Sequence, residues 1–297
     1  GISGLSISSL TSNQFKSLST DIISNLGSAQ IASLTSVQLQ AITTSQIKAL
    51  GSNGINAISP SNVSFLSSSS LSSLTSSQLS NLSSQFISNL STSQLSSLSS
   101  ANISFLDPSK LQYINSLKIP SLTSTQISAL GVTGLTSLLQ SQFTKISTSG
   151  LSGLSSDQLK SLSASYLSGL SSAQLQAISS KALVGLTSDQ LSALSTNVSL
   201  FTANQISGLS TSNINVLSGS QLNSLGTSSF AALSTSQVQA LNTTALANLD
   251  ISHLNALTTS QIGGLKSSQI QAFQSTNETA TITFNGISAG GSFTVAG

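Results

Sequence analysis

The sequence predicts an all-α repeat fold: an α-solenoid or superhelix of mini-helices with an eight-residue repeat that pairs into sixteen, followed by a short C-terminal β-hairpin. Three observations lead there. An apolar column recurs at every eighth residue, a helix-start signal is restated in each octad, and glycine or asparagine recurs where an octad should end.

The apolar column runs Leu10, Leu18, Leu26, Leu34, Ile42, Leu50 and onward to Leu106 without a miss. A second column lies five residues later in each octad, at Phe15, Ile23, Ile31, Leu39 and Ile47. Between the two sits Thr11-Ser12-Asn13-Gln14, and threonine followed three residues later by glutamine is the spacing of a capping box. Leu10 and Phe15 flank it as a hydrophobic staple. Pro60 and Pro108 follow Ser59 and Asp107, at the first helical position, where the missing N–H has no helical partner in any case. Pro120 falls late in its octad and should end or distort the local turn. Gly134, Gly153, Gly169, Gly185, Gly208, Asn25, Asn81 and Asn89 precede the next apolar residue, and both residue types tolerate the left-handed backbone that ends many helices. The expectation is mini-helices of one to two turns joined by sharp corners. A β-solenoid is the alternative, because its coils also repeat short apolar patterns. Against it stand the preference for Leu over Val and the five-then-three spacing, which breaks strand alternation.

The glutamines add a longer period. Gln14, Gln30, Gln46, Gln78, Gln94, Gln126, Gln142, Gln158, Gln174 and Gln190 lie at multiples of sixteen, although Gln38 and Gln261 break the rule. The frame slips once: Leu194 to Leu209 is fifteen residues instead of sixteen, with the slip inside residues 195–205. The chain therefore reads as an N-terminal extension (1–9), an octapeptide-repeat solenoid (10–273) and a β-rich tail (274–297). In the tail, Ile282 and Phe284 alternate before Asn285-Gly286, and Ile287, Phe293 and Val295 follow, a strong short-range hairpin signal. An isolated hairpin is marginal in water. It would cap the last repeat, open a further domain, or pair with another subunit by strand addition, with Ile282, Phe284, Ile287, Phe293 and Val295 as the candidate subunit interface.

Composition narrows the functional classes. Charged residues make up 5% of the 297, Cys, Met and Trp are absent, and the formal net charge is +2. All basic residues are lysines, scattered from Lys16 to Lys266, so no basic stripe for nucleic acid and no polybasic membrane patch exists. Without cysteine there are no disulfides and no thiolate metal sites. No apolar run reaches the length of a membrane span, and the chain begins without Met or a signal-peptide pattern, as a mature or trimmed chain would. A catalytic serine needs a base. The single histidine, His253, occupies the frame position of Gln, so a capping or surface role is expected of it rather than catalysis or metal binding. Asp107 and Asp250 fall at cap positions, and Asp157 and Asp189 in first turns, where negative charge suits the helix dipole. The expectation is no enzyme activity, no cofactor and no metal. Asn62, Asn81, Asn89, Asn102, Asn197, Asn242 and Asn277 each begin an Asn-x-Ser/Thr triplet, which a chain this rich in Ser and Thr also produces by chance.

The octads "LSSAQLQAI" and "LTSDQLSAL" resemble octapeptide-repeat tracts of large secreted bacterial surface proteins of the adhesin type. The resemblance covers residues 10–273 and carries over no functional residues. It implies an extracellular or cell-surface spacer of bacterial origin. The expected function is a structural rod, either a self-assembling filament subunit or a stalk. The alternative is a module whose Ser/Thr face binds glycan, a mineral or ice.

Overall fold

The computed structural model describes residues 6–274. The chain divides into two compact units, Gly1–Gly153 and Leu154–Gly297. Among the described residues each unit consists of short α- and 3₁₀-helices with no strand. The predicted hairpin and all five of its candidate interface residues lie outside the described residues.

The first complete octad sets the scheme. Thr11 is extended, its hydroxyl accepts from the Gln14 N–H at 3.3 Å, and Gln14 Oε1 accepts from the Thr11 N–H at 2.9 Å, completing the predicted box. The helix Ser12–Lys16 then runs for barely more than a turn, which buries Phe15, before the chain corners into the next apolar residue. Later octads repeat this with Thr35/Gln38, Thr43/Gln46 and Thr75/Gln78 in the first unit and with Thr187/Gln190, Ser218/Gln221 and Ser234/Gln237 in the second. A helix this short cannot stand on propensity, since its first hydrogen bond hardly offsets nucleation. Stability has to come from stacking.

The stacking repeats after three octads. In the first unit Ser12–Lys16 packs on Ser36–Ala41, Thr20–Ser24 on Thr44–Ala49, and Ser28–Ala32 on Gly51–Ala57. In the second unit Ala164–Ser168 packs on Ser188–Leu194 and Thr227–Ala231 on Ile251–Ala256. Each coil is thus three mini-helices and three corners, and both apolar columns point into its interior: Ile146 of the first column and Ile47, Leu95 and Ile127 of the second in one unit, and Leu217 of the first and Leu159, Ile206 and Leu222 of the second in the other, are wholly buried. The two-octad alternation of Gln and the three-octad coil do not coincide. Where the alternation holds, the glutamines of one side therefore return every 48 residues, as Gln46, Gln94 and Gln142 do in the first unit; Gln38 and Gln261, which break it, each follow another glutamine by 24.

Two sequence expectations need correction. The mini-helices do not end on left-handed residues: Asn25, Asn81, Gly169 and Gly208 all have negative φ. Closure comes instead from a serine hydroxyl at the octad's last position, which donates to the carbonyl three residues back, as in Ser17, Ser33, Ser73, Ser97 and Ser161. Gly153 and Gly185 are small because the coil beneath is close, so that a Cβ on either would collide with the Ser124 or the Ser156 carbonyl, respectively. Positive φ occurs elsewhere, at Gly51, Gly131 and Ser195, each directly after an apolar-column leucine. At those three corners one helix passes straight into the next without an extended cap residue.

The prolines behave as expected in part. Pro60 and Pro108 do open helices, but 3₁₀ ones, Pro60–Phe65 and Pro108–Tyr113, while Pro120 lies inside the short 3₁₀ segment Ile119–Ser121. The register slip is where the sequence put it. Ser195–Leu200 is a 3₁₀ helix that follows Ser188–Leu194 with no gap.

Candidate functional site

The most elaborate chemistry in either unit is the seam between successive coils. A helix leaves its last four carbonyls without intrahelical donors. In the first unit Gln94 supplies them from the coil above. Its Oε1 accepts from the Ser91 N–H at 2.8 Å, and its Nε2 donates to the Val63 carbonyl at 2.9 Å and the Leu66 carbonyl at 2.7 Å. One amide thereby caps the start of its own helix and the end of the helix beneath. Gln38, Gln46, Gln78, Gln126 and Gln142 do the same, reaching carbonyls 28 and 31 residues back or close to it. All are almost fully buried. Where the position holds another residue the reach persists: Ser70 donates to the Ile42 carbonyl, Asn102 to that of Ser72, and Lys118 Nζ to that of Ser88. Gln14, on the first coil, is exposed and completes only its own box.

A second amide stitches in the opposite direction. Asn56 donates to the Asn81 carbonyl and accepts from the Ser83 N–H. In the second unit Asn223 does the same with the Asn248 carbonyl and the Asp250 N–H. Across the slip the long amides still reach, one residue short: Gln205 contacts the carbonyls of Leu175 and Ile178, 30 and 27 residues back, and Gln237 resumes 31 and 28 with Ile206 and Leu209.

His253 is the chemically distinct member of the seam. The sequence expectation of a capping or surface role holds as a cap, but the ring is buried rather than at the surface. Nδ1 lies 2.6 Å from Asp250 Oδ1, and Nε2 lies 2.7 Å from the Leu225 carbonyl, 28 residues back. Both ring nitrogens thus face oxygens, one on the carboxyl at the cap and one on the carbonyl of the coil beneath. The side-chain bond from His253, reinforced by its backbone N–H, holds the Asp250 carboxyl below the usual carboxylate range, against a small opposing desolvation. The Phe230 ring meets the imidazole edge-on at 5.3 Å. As a His–Asp dyad it has no free nitrogen to offer a serine. Its geometry is that of a Gln substitute.

Elsewhere the surface offers little convergence. No group of three or more His, Asp or Glu side chains comes together among the described residues. No described helix is long and apolar enough to cross a membrane. The second unit carries an open groove bordered by Thr211, Asn215, Val216, Gln239 and Lys266, with one charge in it. In the first unit Phe65, Phe105, Tyr113 and Leu117 are solvent-exposed. Phe65 and Tyr113 hold the same octad position on the successively stacked segments Pro60–Phe65, Ser84–Asn89 and Pro108–Tyr113, with Asn89 between them. No protein-family model matches this chain, and none of the curated proteins searched is similar to it.

Proposed function

We propose that the protein is an extracellular structural element, a repeat rod that serves as a filament subunit or surface stalk, with the terminal segments making the subunit contacts. The observation that carries this reading is the seam: the chain's buried polar side chains are spent on joining one coil to the next, and each coil needs only its neighbours. The resemblance of the octads to tracts of secreted bacterial surface proteins favours the extracellular setting. The test is electron microscopy and sedimentation of the full chain against a chain lacking residues 279–297. The filament reading expects fibres from the first and monomers from the second. Equal assembly of both would remove the tail as connector, and a full chain that stays monomeric at every concentration would leave only the stalk.

A second reading is an adhesive module that binds glycan. What favours it is the edge where Phe65 and Tyr113, 38% and 48% exposed, flank Asn89, since aromatic faces and an amide are what a sugar ring packs against. Loss of glycan-array binding in Tyr113→Ala would support it, and an array without any hit would end it.

A further inference from the structure

Six of the seven Asn-x-Ser/Thr triplets lie in described residues, and the fold treats them unequally. Asn62 donates to the Leu34 carbonyl and Asn102, itself buried, to that of Ser72, both in the coil beneath. Asn242 donates to two such carbonyls, Asn215 and Leu217, at 2.7 and 3.0 Å. Asn81 and Asn89 close their own helices through the carbonyls of Ser77 and Gln85. Asn197 is exposed and its amide makes no hydrogen bond. It sits in Asn197-Val198-Ser199, in the 3₁₀ helix of the register slip, where Val198 is buried as the anchor and Ser199 is exposed with its hydroxyl free. The next coil bonds to this segment through the Ser195 and Thr196 carbonyls, from Gln221 and Ser224, and so leaves the Asn197 side chain to solvent.

We infer that Asn197 is an acceptor for an N-linked glycan, the position among these six where a sugar costs the fold nothing. The inference rests on the extracellular reading. In the transfer, Asn197 Nδ2 forms a bond to the anomeric carbon of a glycosyl diphosphate. The carbon–oxygen bond to the diphosphate breaks, the diphosphate leaves with the electron pair, and one amide proton passes to a base of the transferase. The donor is nucleotide-linked or polyprenyl-linked, and both share this chemistry. A sugar on Asn242 or Asn102 would instead displace bonds between coils, and one on Asn81, the next most open, would give up the bond to the Ser77 carbonyl.

The experiment is glycopeptide mass spectrometry on the full chain recovered from the medium of its own cells. The expected result is Asn197 occupied, with Asn62, Asn102 and Asn242 bare, and a thermal midpoint unchanged in Asn197→Gln. The attached mass separates the donors, a single sugar for the nucleotide-linked one and a block oligosaccharide for the lipid-linked one. A secreted chain with Asn197 bare, or with Asn102 or Asn242 occupied, overturns the inference while sparing the extracellular reading. A chain found only inside the cells counts against that reading instead. The full chain, translated behind a cleavable export leader with microsomal membranes and shown to be protected from added protease, then decides the acceptor: a gel shift present in the native chain and lost in Asn197→Gln supports it, and the absence of any shift refutes it.

Discussion

Gln94 in the first unit and His253 in the second stand at the same octad position and carry out the same two tasks by different chemistry. Gln94 accepts from a cap N–H and donates to two carbonyls as a neutral amide, indifferent to pH. His253 sets one ring nitrogen 2.6 Å from the carboxyl of its cap residue, Asp250, and the other 2.7 Å from the Leu225 carbonyl, where Gln94 works with a Ser91 cap. The position demands a donor to the coil beneath and a tie to the local helix start. It does not demand glutamine.

The largest way to break that comparison is Gln94→Ala, which leaves the Ser91 N–H and the Val63 and Leu66 carbonyls buried without this partner. A loss of about 3 kcal/mol is expected in urea unfolding. Gln14→Ala, which removes only an exposed box, should cost about 0.5–1 kcal/mol. Equal losses would mean that the seam contributes nothing beyond the cap. Asp250→Ala comes next, at about 1–2 kcal/mol, because it removes the cap and the ring's 2.6 Å partner together. Ser195→Gly should act in the other direction. Ser195 holds φ 49° and ψ −131°, a backbone that suits glycine, and the replacement is expected to gain about 1 kcal/mol by thermal melting.

The smallest effect is one of pH. The folded-state pKa of Asp250 lies below its ordinary 3.8, so the stability it contributes is complete above that value and is lost as pH falls through the lower folded value. The carboxylate is 45% exposed, which keeps the contribution small through solvent screening. Urea midpoints measured from about pH 5 down to about pH 2 should therefore fall more steeply for the native chain than for His253→Gln, in which that bond is absent. Parallel curves would mean that the Asp250–His253 bond contributes nothing to the seam.

What the sequence made legible is local. The staple, the box and the Pro positions are fixed by neighbours within an octad, and the slip at residues 195–205 is a miscount in a regular frame. The closing of the coil after three octads was not legible, because it depends on the angle at each corner, and no single octad encodes that angle. The second task of Gln did leave a trace. Glutamate completes a capping box as well as glutamine does, yet the box position never holds glutamate. A carboxylate there would face the carbonyls of the coil beneath and could not donate to them. For His253, the cap at Asp250 three residues earlier was visible, but the burial of the ring between that carboxyl and the Leu225 carbonyl was not.

A repeat of eight wound three to a coil has a consequence for how such a chain can diversify. Adding or removing one octad within a unit turns everything after it by a third of a revolution while leaving the stacking intact. Length is therefore easy to change, and any decoration confined to a single side is scrambled by the change. A flat recognition face would need conservation in steps of twenty-four, whereas this chain is written in steps of eight and sixteen. Apart from the edge of Phe65 and Tyr113, the sides of each unit carry much the same Ser- and Thr-rich positions, so such a change alters length more than surface.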